Sequence, residues 1–564
     1  MRGGKAIWGC LIIIGSLLGY SANASQYAFQ VTFTDKNNTP YSLSSPLAYL
    51  SPRALSRRAT QGISIDSTDL PVNPAYVDSV LSLTGGKLHE TSRWLNMCMI
   101  LLSDSSQILH LAGKPYISNI TLVGYYTTNL HRSMNTTGGG NKNTAQRTTS
   151  SGSAYYGNTW TQTQLVNGNY LHDNGYKGQG KLIAVLDAGF IGADTHPGFD
   201  SLWQSGRVVD TFDFTFDNTN VFYQDNHGFE VLSTMAGYVP GTYVGSAPLA
   251  MYALYITEYD LIPNDQPLEL DNMLCGAERA DSIGADIITE SLGYDLFDYP
   301  PGSGQSFYPD LDGKTTVAAK AANMATKKGM LFVASAGNDG TGIGGWGNHI
   351  MTPGDADSAL TIGAVSQSGI VANFSGYGPN AAGQVKPDVC GMGLSAAIFN
   401  APGGYSSLDG TSLSTPQVAG WAACLWQANP NATPYQLRQA IIKCASSYNS
   451  PGQQLGYGIP DFECAQLALD VTDTPPPFSA SNWVIPTPNP FGSDLKLCVS
   501  PNAGQYVGFT LMDMTGKIVF SFNIYLYKGY NTPINIPTPA LPSGIYILRV
   551  ISPTQQQVIK LEKR

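Results

Sequence analysis

Between residues 155 and 470 the chain repeats one pattern: short, strongly apolar runs separated by longer helical stretches. The runs are KLIAVLD, MYALYIT, ADIITESLG, MLFVASAG and ALTIGAV, and LDNMLCGAERADSIG and TTVAAKAANMATKKG are two of the helical stretches. Strands without a polar face must be covered on both sides, and intervening helices supply the cover. The pattern therefore predicts an α/β domain with a parallel sheet and helices on both faces. In such a sheet functional side chains gather where strands end and helices begin.

The flanks read differently. Residues 25–130 offer FQVTF as a strand, NPAYVDSVLSLTG as a helix, KLHETSRW and NMCMILL as strands, DSSQILHLAG as a helix and ISNITLVG as a last strand. That order is βαββαβ, a small α+β unit. Residues 131–154, rich in Gly, Asn, Ser and Thr, predict an exposed linker open to cleavage. A Pro-rich spacer at 471–485 separates the α/β domain from residues 486–564, where short strand-like pieces and turns predict a small β-sandwich.

Only 12% of the 564 residues are charged, about half the usual share, and the formal net charge is −10. An acidic surface without a basic cluster excludes nucleic acid as a partner. Arg57-Arg58 reads as a solvated helical face. At the N-terminus, Arg2 and Lys5 precede the apolar run 6–18, and Ala22-Asn23-Ala24 follows, so residues 1–24 read as a cleaved signal peptide. Export permits disulfides among the eight Cys, whose pairing is not readable; without a close Cys pair, zinc is not expected.

Four positions invite a chemical reading, and each has a plainer one. Asp187 ends a buried strand, as a turn-capping Asp also would. His227 opens a helical pattern, where the helix dipole disfavours the imidazolium and keeps a neutral base; it also fits a surface His. Asn338 ends MLFVASAGN, where its amide can meet a developing oxyanion or simply serve a turn. Ser412 lies in LDGTSLSTPQVAG as either nucleophile or helix cap, with Pro416 suiting a first helical turn.

Taken together and in order, these stretches resemble the subtilisin-like serine proteases: IAVLDAGF, HGFEVLSTMAG, ITESLG, SAGN and GTSLSTPQVAG fall in the family's sequence. The resemblance covers roughly 155–470. It implies a catalytic triad of Asp187, His227 and Ser412 and an oxyanion hole formed by Asn338 with the Ser412 N–H. Ser291, Leu292 and Gly293 would pair with the substrate backbone, and Ser335, Ala336 and Gly337 would line the pocket for the residue before the cut. Glu290, Phe229-Glu230 and Ser414 depart from the usual pattern without removing a catalytic atom.

The same resemblance implies that 25–130 is an inhibitory pro-domain acting on its own chain. The tail, 486–564, separately resembles the C-terminal sorting domain of type IX secretion, which implies that it engages that machinery. The carriers are PNPF at 488–491, MDMTGK at 512–517 and LPSGIYILRV. Protein or peptide substrates, no required cofactor, no metal in the site, and a secreted or outer-surface location in a two-membrane bacterium follow as expectations; a structural calcium stays open. Among rivals, Gly340 to Gly345 fits GxGxxG but leads into NHIMTPGD instead of a helix, so no helix end is offered to a pyrophosphate. No HExxH occurs for a metalloprotease. A silent surface-binding protein on the same fold is the remaining alternative.

Overall fold

The computed structural model describes residues 25–127, 151–259, 265–297, 305–306, 308–341, 349–400, 403–470, 483–487, 491, 495–526, 531–536 and 541–563. The expected signal segment, the linker up to 150, most of the 471–485 spacer, most of PNPF and most of the GxGxxG stretch lie outside these residues.

Seven strands form the central sheet, in the order Val389–Met392, Leu360–Val365, Leu331–Ser335, Ile287–Glu290, Leu182–Asp187, Met251–Ile256 and Val208–Asp213. All six pairings are parallel. The five interior strands are those expected from the apolar runs. The edge strands Val208–Asp213 and Val389–Met392 are additional; the first is only partly buried and the second is four residues long, so neither carries a long apolar run.

Alternation along a strand divides the core in two. Ile183 and Val185 face the Thr411–Ala428 helix, whose residues are buried all round from Thr411 to Trp426. Leu182, Ala184 and Leu186 face the Pro267–Ile283 and Val317–Lys327 helices. The Pro267–Ile283 helix has clear boundaries: Pro at its start, a capping box between Gln266 and Glu269, and left-handed Gly284 at its end.

The N-terminal unit is an antiparallel sheet ordered Lys87–Ser92, Met97–Leu102, Ser25–Phe33, Ile117–Thr127. Its second expected helix is a 3-10 segment, Ser105–Leu111, and an extra helix, Pro52–Thr60, precedes the expected Pro74–Thr84. That extra helix corrects the reading of Arg57-Arg58. Both are buried against the Pro267–Ile283 helix, where Asp281 accepts from Arg57 at 2.5 Å, Arg58 at 2.7 Å and Arg93 at 2.7 Å. Charge alone marked them as solvated; a carboxylate more than two hundred residues away removes that need.

At the other junctions two boundaries shift. Residues 151–154, grouped with the linker, open the Ser151–Tyr156 helix, and Val484–Thr487 is already a strand. Beyond it, a three-stranded and a four-stranded antiparallel sheet share one core that includes Trp483, Leu497, Phe509 and Leu548. This is the expected sandwich. Cys444 and Cys464 form a disulfide.

Candidate active site

Asp187 is the last residue of the central strand Leu182–Asp187 and is wholly buried. Its Oδ1 accepts a 2.8 Å bond from the Ala188 N–H and a 2.7 Å bond from Nδ1 of His227, which begins the His227–Ala236 helix. Asp225 fixes that helix start by accepting the His227 backbone N–H at 2.5 Å. Burial opposes the imidazolium, but the charge and hydrogen bond of Asp187, with Asp225 and Glu230 adding, raise the His227 pKa to about 9. The helix dipole was expected to keep this ring neutral. A buried carboxylate in contact outweighs partial charges at a helix end.

Ser412 does not cap its helix. The N-cap is Gly410, without a side-chain cap bond, and Ser412 is the second helical residue. A Cβ on Gly410 would lie 2.7 Å from Ser412 Oγ, so glycine leaves the hydroxyl its space. Pro416 lies inside the helix instead of starting it. With no N–H, it cannot bond the Ser412 carbonyl one turn back; Ser291 Oγ donates to that carbonyl instead, at 2.9 Å. Ser414 turns away, donating to the carbonyls of Gly363 and Thr411 at 3.0 Å each.

Asn338 follows the strand Leu331–Ser335, and its Oδ1 accepts from both the backbone N–H and the hydroxyl of Thr411, each at 2.9 Å. Two donors on the oxygen fix the amide plane and leave its NH2 as the end open to a further partner.

These groups meet at a cavity of about 490 Å³, lined by His227, Ser412, Asn338, Ser291, Leu292, Gly293, Ser335 and Gly337, and also by Thr411, Asp225, Glu230, Glu258, Ala188 and Met351. Asp187 lies behind His227. Ala336 is the exception among the expected lining residues: it is fully buried and its N–H bonds the Ile362 carbonyl. Thr411, Asp225 and Met351 were not anticipated. Asp225, two residues before a helix-opening His, carried a readable turn signal; Met351 carried none.

Glu258, which lines the cavity, and Asp265 and Glu269 bring carboxylate oxygens within 4.8 Å of one another. The Glu269 oxygens already accept from the Tyr259 and Gln266 N–H groups, and these bonds set the start of a helix.

Residues 178–459, half of the chain, match the model of the subtilase family. Residues 28–140 match a peptidase S8 propeptide domain of Bacteroidota, and 487–563 match a secretion system C-terminal sorting domain. Similar curated proteins include a thermophilic serine proteinase of Bacillus sp. strain AK1, 29% identical over 50% of this chain and 60% of its own length. Subtilisin BL of Lederbergia lenta is 28% identical over 52% of this chain and 93% of its own. The chain thus spans less than two thirds of one of these relatives and nearly all of the other's length. With a parallel sheet, a cavity lined by His227, Asn338 and Ser412 with Asp187 behind the imidazole, and half its length matched, the chain belongs to the subtilase family, and its subtilase region is flanked by a propeptide domain and a secretion sorting domain.

Proposed function

We propose that this is a secreted serine endopeptidase made as a zymogen. The observation that carries the reading is that the buried Asp187 holds His227, whose partly exposed ring lines the same cavity as Ser412 and Asn338. In this reading Ser412 Oγ attacks a peptide carbonyl, His227 Nε2 takes the hydroxyl proton, and the proton passes to the leaving amine as an acyl-enzyme forms. Water then attacks the acyl carbon, His227 accepts its proton, and Ser412 is released. Asp187 holds Nδ1–H and stabilises the imidazolium. Negative charge on the carbonyl oxygen falls on the Asn338 NH2 and the Ser412 N–H, at the positive end of the Thr411–Ala428 helix. Because His227 holds its proton up to a pH of about 9, the base form grows towards alkaline pH.

The backbone of Ser291 to Gly293 is the edge along which a peptide adds as a strand. The propeptide domain acts as the intramolecular inhibitor and the sorting domain directs export, consistent with the two family matches. Among the described residues no helix is long and apolar enough to cross a membrane.

The test is Ser412→Ala. Peptide hydrolysis should fall by about a millionfold, the scale on which a triad of this family acts as one unit. Labelling by a fluorophosphonate probe should vanish, and secondary structure should be unchanged. Hydrolysis and labelling that persist in the variant would leave a surface-binding protein on a protease fold.

A further inference from the structure

One side chain, that of Met351, lies against both the Ser291–Gly293 and the Ser335–Gly337 segments. A Cβ built on Gly293 would lie 2.9 Å from Met351 Sδ and 3.0 Å from Met351 Cβ. One built on Gly337 would lie 2.7 Å from both Cγ and Sδ of the same residue. Contacts under 3.0 Å are not tolerated, so the thioether rests directly on two glycine α-carbons, one on each wall. Met351 also lines the cavity that holds Ser412.

The backbone holds Met351 between these two walls. Thr352 exchanges two hydrogen bonds with Tyr294, the residue after Gly293, at 2.9 and 3.0 Å. The Met351 N–H donates to the Ala336 carbonyl at 3.4 Å on the opposite wall. The segment therefore bridges both walls, which fixes the Met351 backbone between them. Gly337 has φ +91, which any other residue adopts only with strain, so wall and plug are fitted to one another.

We infer that Met351 is the floor of the pocket for the side chain preceding the scissile bond, and that it restricts this position to small residues such as alanine. The inference rests on the peptidase reading above. A branched or aromatic side chain entering between the two glycines meets the thioether before it can bury its ring; a methyl group does not. Removing the plug exchanges that steric cost for apolar burial, and the enzyme should then favour larger residues.

The experiment compares kcat/KM on peptides that differ only in having Ala, Leu or Phe before the cut. The wild-type protein should favour Ala. Met351→Ala should raise the Phe/Ala ratio in kcat/KM by about 10- to 100-fold. Met351→Leu, of similar volume, should keep the wild-type order. Met351→Val, a milder truncation, should move the ratio in the same direction as Met351→Ala and decides the matter if the Ala variant does not fold. A wild-type preference for Phe, or ratios unmoved by both truncations, overturns the inference. Ser412→Ala, run in parallel, separates the two readings: cleavage that survives it removes the peptidase assignment, whereas Ser412-dependent cleavage with unmoved ratios removes only the role of Met351.

Discussion

The two faces of the central sheet are covered in opposite ways. On one, the Thr411–Ala428 helix shares an apolar core with Ile183, Val185 and Val333 through Val418, Ala422 and Leu425, and among the described residues only its Ser414 and Gln417 side chains donate to sheet carbonyls, those of Gly363 and Met392, at 3.0 and 2.9 Å. On the other, the Pro267–Ile283 helix is apolar towards the sheet, with Leu274 and Ala277. It is ionic towards the propeptide, with Asp271, Glu278 and Asp281 buried against Gln30, Ser92 and the Arg57, Arg58 and Arg93 group. Lys328 extends the same interface by pairing with Asp69 at 2.9 Å and Asp66 at 3.1 Å. A contact meant to last is built from surface that water never meets. Apolar groups meet across the propeptide interface too, with Ala28, Met99, Leu101 and Val123 clustered with Tyr259 and Leu268, but the carboxylates and amides beside them are groups that water accepts once the contact is given up. Burying the ions makes the interface selective at little net gain in stability, and makes loss of one partner costly.

The strongest way to break this comparison is Asp281→Ala in the uncut Ser412→Ala precursor. Arg57, Arg58 and Arg93 are then left buried without their shared carboxylate, at a cost of about 3–5 kcal/mol. Hydrogen exchange should rise in residues 25–127 and stay slow in the central sheet. Equal acceleration in both would show that the polar interface supports the whole fold and not only the docked propeptide.

The apolar face supplies the converse. Leu425 is fully buried, and Leu425→Ala should cost about 2–5 kcal/mol through lost burial and a residual cavity. Chemical denaturation should register the same loss in the precursor and in the form lacking the propeptide, because this contact is common to both. A loss confined to one form would tie the two faces together.

The contrast also separates what could be read from sequence from what could not. Apolar runs revealed the interior strands, because a strand buried on both faces has no polar alternation to hide it. Asp187, His227, Asn338 and Ser412 stood out through their motifs, at the strand ends and helix starts where such sheets carry chemistry. Charge at a buried interface had no such signature. Arg57 and Arg58 look solvated until Asp281, from a different domain, is known to lie beside them. Pro416 misled because it is as permissible inside this helix as at its start, once Ser291 takes over the Ser412 carbonyl. Met351 was illegible because its position depends on a bridge between two walls, and no local pattern encodes one.

The smallest effect expected is also the most discriminating about the polar side of the sheet. Glu290 ends the Ile287–Glu290 strand, is wholly buried, and among the described residues has no hydrogen-bond partner on either carboxylate oxygen. Burial first, then the charges of Glu258 and Asp187, hold its pKa well above the ordinary range, so it is neutral in the folded protein. The unfolded chain ionises this group above a pH of about 4.3. Its contribution to stability is therefore complete below that pH and is lost progressively as pH rises towards the folded-state value. Glu290→Met, made in the Ser412→Ala background to prevent self-digestion, removes the linkage and fills similar space with an apolar chain. Stability at pH 8 should increase by about 1–3 kcal/mol, the range for relieving an unsatisfied buried polar group. At pH 4, where the group is protonated in both states and the linkage vanishes, the advantage of the variant should be smaller than at pH 8. A variant less stable at pH 8 would mean that this carboxyl is held in place by a partner it satisfies, and that the polar face reaches through the sheet to the strand beside Asp187.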